Sequence, residues 1–304
     1  SVSPTLISQP EVVVYDSNFC AKQVVAGKCI NTTKANAVSV SLILIFISRK
    51  ITDPQQHIPG FLRKHPNLIP LRPENQYTSP NRSHKTLKMS LLVVGTVAFD
   101  AIETPFGKTD KIIGGAATYA SLAASYFTQD INLVSVVGDD FPQATIDQLN
   151  EHGIRTEGLQ IKKGEKSFFW AGRYHNDMNT RDTLETQLNV LGDFEPVVPA
   201  GYQGADILML GNLSPAVQFS VIEQMKERPK LIVLDTMNFW MEIAMPDLEK
   251  VLKEVDVLLV NDSEARQLSG QYSLVRAAKE IMKMGPKYLV IKKGEHGALL
   301  FDGD

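Results

Sequence analysis

The sequence predicts an α/β fold: a three-layer α/β/α sandwich around a mostly parallel central sheet, with a small β lid. Three observations carry this prediction. Six strongly apolar runs have the length of strands, helix-length segments lie between them, and one segment instead shows the two-residue alternation of exposed strands.

Each predicted core strand is a continuous apolar run, as in parallel strands that are buried on both faces. The first run, SLLVVGTVAFD, begins after Met89 and ends in Asp100. The other five lie at 131–139, 205–212, 230–238, 255–262 and 287–294.

The predicted helices fill the intervals between these strands. Pro215 and Gly153 mark a helix start and a helix end, respectively. Regular strand–helix alternation implies right-handed crossovers and a sheet covered on both faces. The helices are expected at 115–127, 142–152, 215–227, 246–254 and 273–284.

One stretch, 166–191, breaks the alternation. It contains two strand-like runs around the polar turn HNDMNT. We expect a lid hairpin here, with Phe168, Phe169, Trp170 and Tyr174 forming an apolar underside. Arg173 and Arg181 in this hairpin could neutralise a charged substrate or simply be solvated.

The two ends of the chain differ from the part between them. Residues 1–88 carry 11 Lys and Arg against 4 Asp and Glu, whereas 89–304 carry 20 against 30. We expect 1–88 to be a disordered leader. It could be a targeting peptide, an accessory segment or, as we favour, an upstream region translated ahead of a true start at Met89.

The sequence after 297 reads as a strand with no closing helix, so the sheet is expected to be incomplete at the C-terminus.

Two common nucleotide-binding motifs are absent. Gly107-Lys108-Thr109 resembles the end of a P-loop, but Ile102 occupies the position of its first glycine and no helix is predicted after Thr109. The first strand also lacks the Gly-x-Gly-x-x-Gly of a dinucleotide fold. A nicotinamide-dependent oxidoreductase is therefore the least favoured class, testable by a nicotinamide fluorescence titration.

Gly114-Gly115 precedes a helix of small residues, where a ligand could approach the backbone. Asp100 is expected at the carboxyl end of the first strand, where open parallel sheets bind ligands. A plain turn and a capping aspartate are the alternatives. Together, at one sheet edge, the two features favour a substrate pocket.

Residues 89–304 resemble the ribokinase-like PfkB family of carbohydrate and nucleoside kinases. The matching segments occur in family order: VVGTVAFD, GGAATYASLAASYFTQDINLVSVVGDD, LDTMN, VNDSEA and IKKGEHGALLF. Residues 1–88 take no part in the resemblance.

The resemblance implies an acceptor site and a nucleotide site. The implied substrate-binding residues are Asp100, Gly114, Gly115, Tyr119 and Trp170, with Tyr119 or Thr118 standing where the family has asparagine. The implied ATP-binding residues are Asn261, Glu264, Lys292, Gly294 and Gly297. Glu264, with Asn261, would hold Mg²⁺ largely through water; alternatively, the Asn261 turn is a helix cap and the glycines belong to an ordinary hairpin.

The implied activity is ATP-dependent phosphorylation of a sugar or nucleoside hydroxyl. The family takes its catalytic base from a Gly-Ala-Gly-Asp turn, and no such sequence occurs in the 304 residues. We therefore expect no catalytic base in this chain and no turnover. A non-catalytic regulator that binds a sugar or nucleoside is the alternative, distinguished by an ATP-consumption screen.

The composition limits partners and location. A net charge of −3 gives no general attraction to nucleic acid or to anionic membranes. No cysteine follows Cys29, so a cytoplasmic protein is the default expectation. The resemblance makes a homodimer through the lid plausible.

Overall fold

The computed structural model describes residues 89–178 and 180–302, together with the backbone of a short antiparallel pair, Val24–Val25 with Lys28–Cys29. Apart from that pair, the predicted leader at 1–88 lies outside the described residues, as do Asn179 and the last two residues.

The domain contains thirteen strands and seven α-helices within residues 89–302. In chain order the strands are β1 (Leu91–Val94), β2 (Ala98–Thr104), β3 (Gly107–Lys108), β4 (Ile112–Gly114), β5 (Ile131–Gly138), β6 (Ile154–Lys162), β7 (Phe169–Tyr174), β8 (Arg181–Gln187), β9 (Ile207–Leu210), β10 (Leu231–Asp235), β11 (Val257–Asn261), β12 (Tyr288–Lys292) and β13 (Ala298–Phe301). The helices are α1 (Ala116–Ala124), α2 (Gln143–Glu151), α3 (Pro215–Glu223), α4 (Asn238–Ile243), α5 (Met245–Glu254), α6 (Asp262–Ser269) and α7 (Leu274–Met282).

Eight strands form the main sheet, in the order β13-β12-β11-β10-β9-β1-β5-β6. All neighbours are parallel except β12 and β13, which are antiparallel. Each of the six apolar runs contains a main-sheet strand, so the α/β prediction is confirmed. The edge strand β6 was not predicted, because its IRTEGLQIK sequence is polar on its exposed face.

The side chains of the main sheet alternate between two cores, which makes the fold three-layered. Leu92 and Val94 of β1 belong to one core, which α3, α5, α6 and α7 cover. Leu91 and Val93 belong to the other core, which α1 and α2 cover. Within the described residues, no helix is long and apolar enough to cross a bilayer.

A second, small sheet has the order β8-β7-β2-β3, with β4 also paired to β2. The antiparallel strands predicted at 166–191 are present in it as β7 and β8. No helix begins directly after Thr109, because strand β4 comes first, in agreement with the rejection of a P-loop, and Gly107–Lys108 is strand β3.

The predicted position of Asp100 is wrong. The first main-sheet strand ends at Val94, and Asp100 lies inside β2 of the small sheet, so neither a strand end nor a capping role describes it. The chain leaves the main sheet at Gly95, which packs so closely on Ala117 and the Gly211 backbone that a Cβ would lie 3.2 and 3.3 Å from them. The apolar run is continuous across this break, so its pattern alone does not reveal the change of sheet.

Candidate active site

Asp100 and the Gly114-Gly115 pair form one packed unit. The antiparallel pairing of β2 and β4 sets Asp100 opposite Ile112, and its carboxylate lies over Gly114. A Cβ on Gly114 would lie 2.2 Å from Oδ2 of Asp100, so only glycine fits there. Gly115 has φ 97° and donates its backbone N–H to the Asp100 carboxylate.

This packing removes Asp100 from water and alters its titration. Burial raises the pKa of Asp100 to about 6, against the opposing effect of the Gly115 hydrogen bond. The Asp100 carboxyl therefore changes from mostly protonated to mostly ionised as the pH rises through about 6. Such a group can act as a hydrogen-bond acceptor for a ligand hydroxyl once it is ionised.

Tyr119 of α1 lies beside this carboxylate. Its Oη donates a hydrogen bond to the carbonyl of Ile113, at 2.7 Å. Burial raises the pKa of the Tyr119 phenol, and the Asp100 charge raises it further. The structure thus brings Tyr119 to Asp100, although its hydroxyl hydrogen is already engaged by the main chain of β4.

Trp170 lies on the same face of the small sheet as Asp100, because the two residues are partners in the parallel β2–β7 pairing. Its indole lies over Gly172, where a Cβ would be 2.0 Å from the ring. The indole Nε1 donates to Thr183 Oγ1 of β8 at 3.3 Å. The requirement for glycine at 172 was not predicted; a glycine inside a strand pattern is its only sequence signal.

Asn261 and Glu264 form a reciprocal cap at the start of α6. The Asn261 side chain accepts from the Glu264 N–H at 2.8 Å, and a Glu264 oxygen accepts from the Asn261 N–H at 2.6 Å. The capping alternative is therefore confirmed as one role of this pair. Burial raises the pKa of Glu264, and the nearby Lys292 charge opposes that rise.

Lys292 links the ends of β12 and β10, the two strands on either side of β11, through an ion pair. Its Nζ lies 3.2 Å from Oδ1 of Asp235, at the end of β10, and both side chains are largely buried. Burial works against the Lys292 charge, but the Asp235 and Glu264 carboxylates outweigh it and raise its pKa. The three side chains form a charged cluster with two carboxylates and one ammonium.

This cluster has the donor types that a magnesium ion requires. No group of three His, Cys, Asp or Glu side chains with metal-binding geometry occurs among residues 89–178 and 180–302. Mg²⁺ is usually held by one or two carboxylates, with water and phosphate oxygens as the remaining ligands. Glu264 and Asp235 fit that role, and Lys292 fits an adjacent phosphate.

Gly294 and Gly297 belong to the tight turn between β12 and β13. Their φ values are 57° and 77°, and the Lys293 N–H donates to the Gly297 carbonyl at 2.8 Å. The turn itself thus requires both glycines, as the hairpin alternative supposed. It directly follows Lys292, so it also lies at the edge of the charged cluster.

A further polar contact, at the end of β9, was not predicted. Asn212 Oδ1 accepts a hydrogen bond from Trp240 Nε1 of α4 at 2.9 Å. The contact fixes α4 against the carboxyl edge of the main sheet, next to Asp235. Its residues are separated by 28 positions, and no local pattern marks the pairing.

The fold and the site together define a carbohydrate-kinase type of protein: a three-layer α/β sandwich, a small accessory sheet that carries a buried aspartate, and a charged cluster at the carboxyl edge of the main sheet. The sequence profile of the pfkB family carbohydrate kinases matches residues 89–304, and the chain belongs to this family.

Particular relatives agree with this assignment. A cytidine kinase of Thermococcus kodakarensis is 26% identical over 219 residues, which cover 71% of this chain and 77% of the relative. Two solved structures share the fold: an Escherichia coli putative ribokinase II in complex with ATP and Mg²⁺ (TM-score 0.58, 16% identity, 71% and 76% covered) and a Burkholderia thailandensis nucleoside kinase in complex with inosine (TM-score 0.56, 17% identity, 71% and 74% covered).

Proposed function

We propose that residues 89–304 form the acceptor-binding and ATP-binding parts of a phosphotransferase that acts on a hydroxyl group of a sugar or nucleoside. The observation that carries the proposal is the largely buried Asp100 carboxylate, held over Gly114 in the same domain as the Asp235, Glu264 and Lys292 cluster. One group suits a polyol acceptor and the other a magnesium-bound triphosphate.

On the acceptor side, the ionised Asp100 accepts hydrogen bonds from ligand hydroxyls. Trp170 provides an apolar surface on the same sheet face, held in place by Gly172 and Thr183. Tyr119 closes the side towards α1. The small sheet acts as a lid that excludes water from the acceptor, which favours phosphoryl transfer over hydrolysis of ATP.

On the nucleotide side, Asn261 and Glu264 hold Mg²⁺ largely through water, and Lys292 lies next to the phosphates. When bound, ATP would supply the γ-phosphoryl group and Mg²⁺ would neutralise its charge. The turn at Gly294 and Gly297 brings backbone close to the nucleotide. As a cap and a hairpin, these residues also keep the site rigid in the absence of ligand.

We also propose that the 304-residue chain binds acceptor and Mg·ATP without turnover. Its 304 residues contain no Gly-Ala-Gly-Asp sequence, the turn whose aspartate the family resemblance implies as acceptor of the proton of the attacking hydroxyl. Asp235 is a poor substitute because Lys292 already neutralises it.

The test combines binding and turnover on the purified chain. Calorimetric titration with a panel of sugars and nucleosides, with and without Mg·ATP, is expected to find an acceptor that binds. A coupled ATP-consumption assay with that acceptor is expected to stay at background. Acceptor-dependent turnover would overturn the proposed inactivity, with Asp235→Asn as the first variant to test. Failure of every acceptor and of Mg·ATP to bind would overturn the proposed function.

We propose two further properties, one for the assembly of the chain and one for its location. The outer strand of the small sheet, β8, has all seven residues exposed, and we propose that it supplies contacts for a homodimer. We also propose a cytoplasmic location.

A further inference from the structure

The two arginines of the small sheet lie on opposite faces. In the β7–β8 pairing, Arg181 is opposite Tyr174, Asp182 is opposite Arg173, and Thr183 is opposite Gly172. Partner residues share a face and successive residues alternate. Arg181 therefore shares the face of Tyr174, Trp170 and Asp100, whereas Arg173 lies on the other face.

Polar and charged side chains on the face that carries Arg173 contact one another. Arg173 Nε lies 2.9 Å from Glu103 Oε1 of β2, and His175 Nε2 lies 2.9 Å from Asp182 Oδ2. Arg173 is thus paired with Glu103 of the neighbouring strand β2. The pairing with Glu103 explains the arginine at position 173, so no ligand is needed to explain it.

Arg181 has no such partner. Within residues 89–178 and 180–302 it makes no salt bridge and no side-chain hydrogen bond, and its side chain is exposed. Arg181 is the first residue of β8 and lies about 13 Å along the small sheet from the level of Trp170 and Asp100. A guanidinium in this position has its five N–H donors available on the ligand-facing side of the small sheet.

The charge of Arg181 affects the pKa of residues in the small sheet and of residues in the charged cluster of the main sheet. Burial raises the pKa of Tyr174, and Arg181 opposes that rise from the neighbouring strand. Burial likewise raises the pKa of Glu264, with Arg181 again among the opposing charges, and Arg181 also disfavours the charge on Lys292. Arg181 therefore lies within electrostatic range of the charged cluster of the main sheet as well as of the small sheet.

We propose that Arg181 is the phosphate-binding residue of the small sheet and binds the phosphate group of the phosphorylated acceptor, a phosphate monoester. This inference rests on the proposed function. A guanidinium binds phosphate oxygens through paired hydrogen bonds, and phosphate supplies the counter-charge that Arg181 lacks. Arg173 cannot take this role, because it faces away and is already paired with Glu103.

The test compares a phosphorylated ligand with its unphosphorylated form, so that it needs no turnover. Cytidine and cytidine 5′-monophosphate are titrated calorimetrically into the full chain and into Arg181→Ala, Arg181→Lys and Arg173→Ala. Inorganic tripolyphosphate is titrated in parallel as a phosphate probe that needs no acceptor pocket. Thermal melting of each variant checks that it folds.

The wild-type chain is expected to bind the monophosphate more tightly than cytidine. Arg181→Ala should weaken monophosphate binding about 10- to 100-fold while leaving cytidine binding unchanged, as expected for the loss of charge-assisted hydrogen bonds. Arg181→Lys should retain part of the preference, and Arg173→Ala should retain all of it. If the nucleoside pair does not bind, the same order of variants is expected with tripolyphosphate.

Three results would overturn the inference: an unchanged monophosphate preference in Arg181→Ala, an equal loss in Arg173→Ala, or no Arg181-dependent binding of either phosphate probe. Failure of the proposed function looks different. In that case cytidine, the other acceptors and Mg·ATP all fail to bind, while Arg181-dependent binding of tripolyphosphate can still be present.

Discussion

The ammonium of Lys292 lies 3.2 Å from Oδ1 of Asp235, and this contact joins the ends of two strands that are 57 residues apart in the chain. β11 lies between those strands, and the buried Glu264 follows it. Lys292 thus keeps two carboxylates close together at the carboxyl edge of the sheet. The two carboxylates share this one cation, so the loss of Lys292 would leave both of them without a counter-ion.

Replacement of Lys292 by methionine should destabilise the domain, because two largely buried carboxylates would lose their shared counter-ion. Removal of one partner of a buried ion pair costs about 3 kcal/mol or more. Urea unfolding should show this loss, and calorimetry should show weaker Mg·ATP binding. Lys293→Met is the matched control, since Lys293 follows the end of β12 and lies in the turn to β13, outside the charged cluster. Equal unfolding free energies for the two variants would contradict the role assigned to Lys292.

Replacement of Gly114 by alanine should disrupt the acceptor site, because the new Cβ would overlap the Asp100 carboxylate. Overpacking of this kind costs about 1–3 kcal/mol. Gly204→Ala is the control, since a Cβ there meets no atom within 4 Å. In a double-mutant cycle, Asp100→Ala should relieve part of the cost of Gly114→Ala. Additive losses in unfolding free energy would show that the two residues do not interact.

The pH dependence of stability and that of acceptor binding should have opposite signs at Asp100. Its folded pKa, about 6, lies above the ordinary value of 3.8, so the folded state holds the proton more tightly. The corresponding stability is present in full below about pH 4 and is lost as the pH rises through 6. Asp100→Asn should therefore be the more stable protein at pH 7.5, by on the order of 2 kcal/mol.

Acceptor binding instead requires the ionised carboxylate, so it should weaken as the pH falls through 6. At pH 7.5, Asp100→Asn should weaken acceptor binding far more than Mg·ATP binding. Calorimetry of both ligands, with urea unfolding from pH 4 to 8, tests both signs. Equal losses for acceptor and ATP would remove Asp100 from the acceptor site, and a wild-type stability profile in Asp100→Asn would contradict its raised pKa.

Glu264 can be tested for metal binding separately from capping. Gln at this position can still accept from the Asn261 N–H, as in other capping boxes, so Glu264→Gln should fold normally. Its charge is lost, however, and the Mg²⁺ concentration needed for half-maximal ATP binding should rise several-fold. Glu264→Ala should lose the cap as well, at a stability cost of about 1 kcal/mol. An unaltered Mg²⁺ titration in Glu264→Gln would leave Glu264 as a cap only.

Several features of the fold followed from the sequence because they depend on local pattern and composition. Runs such as KLIVLDTMN are apolar on both faces, and only a covered parallel sheet buries both faces at once. The asparagine at 261 and the glutamate three residues later suffice to predict a helix start. Strand alternation predicted only that at most one of Lys292 and Lys293 faces the site.

Other features depend on contacts between distant segments and were decided only by the tertiary structure. Asp100 belongs to the small sheet because β2 pairs with β7, where Asp100 is the partner of Trp170, 70 residues later in the chain. The glycine at 172 is required by the Trp170 ring, and Arg181 differs from Arg173 only through strand register and the pairing with Glu103. In each case the residue type is visible in the sequence, but its role depends on packing partners that local periodicity does not encode.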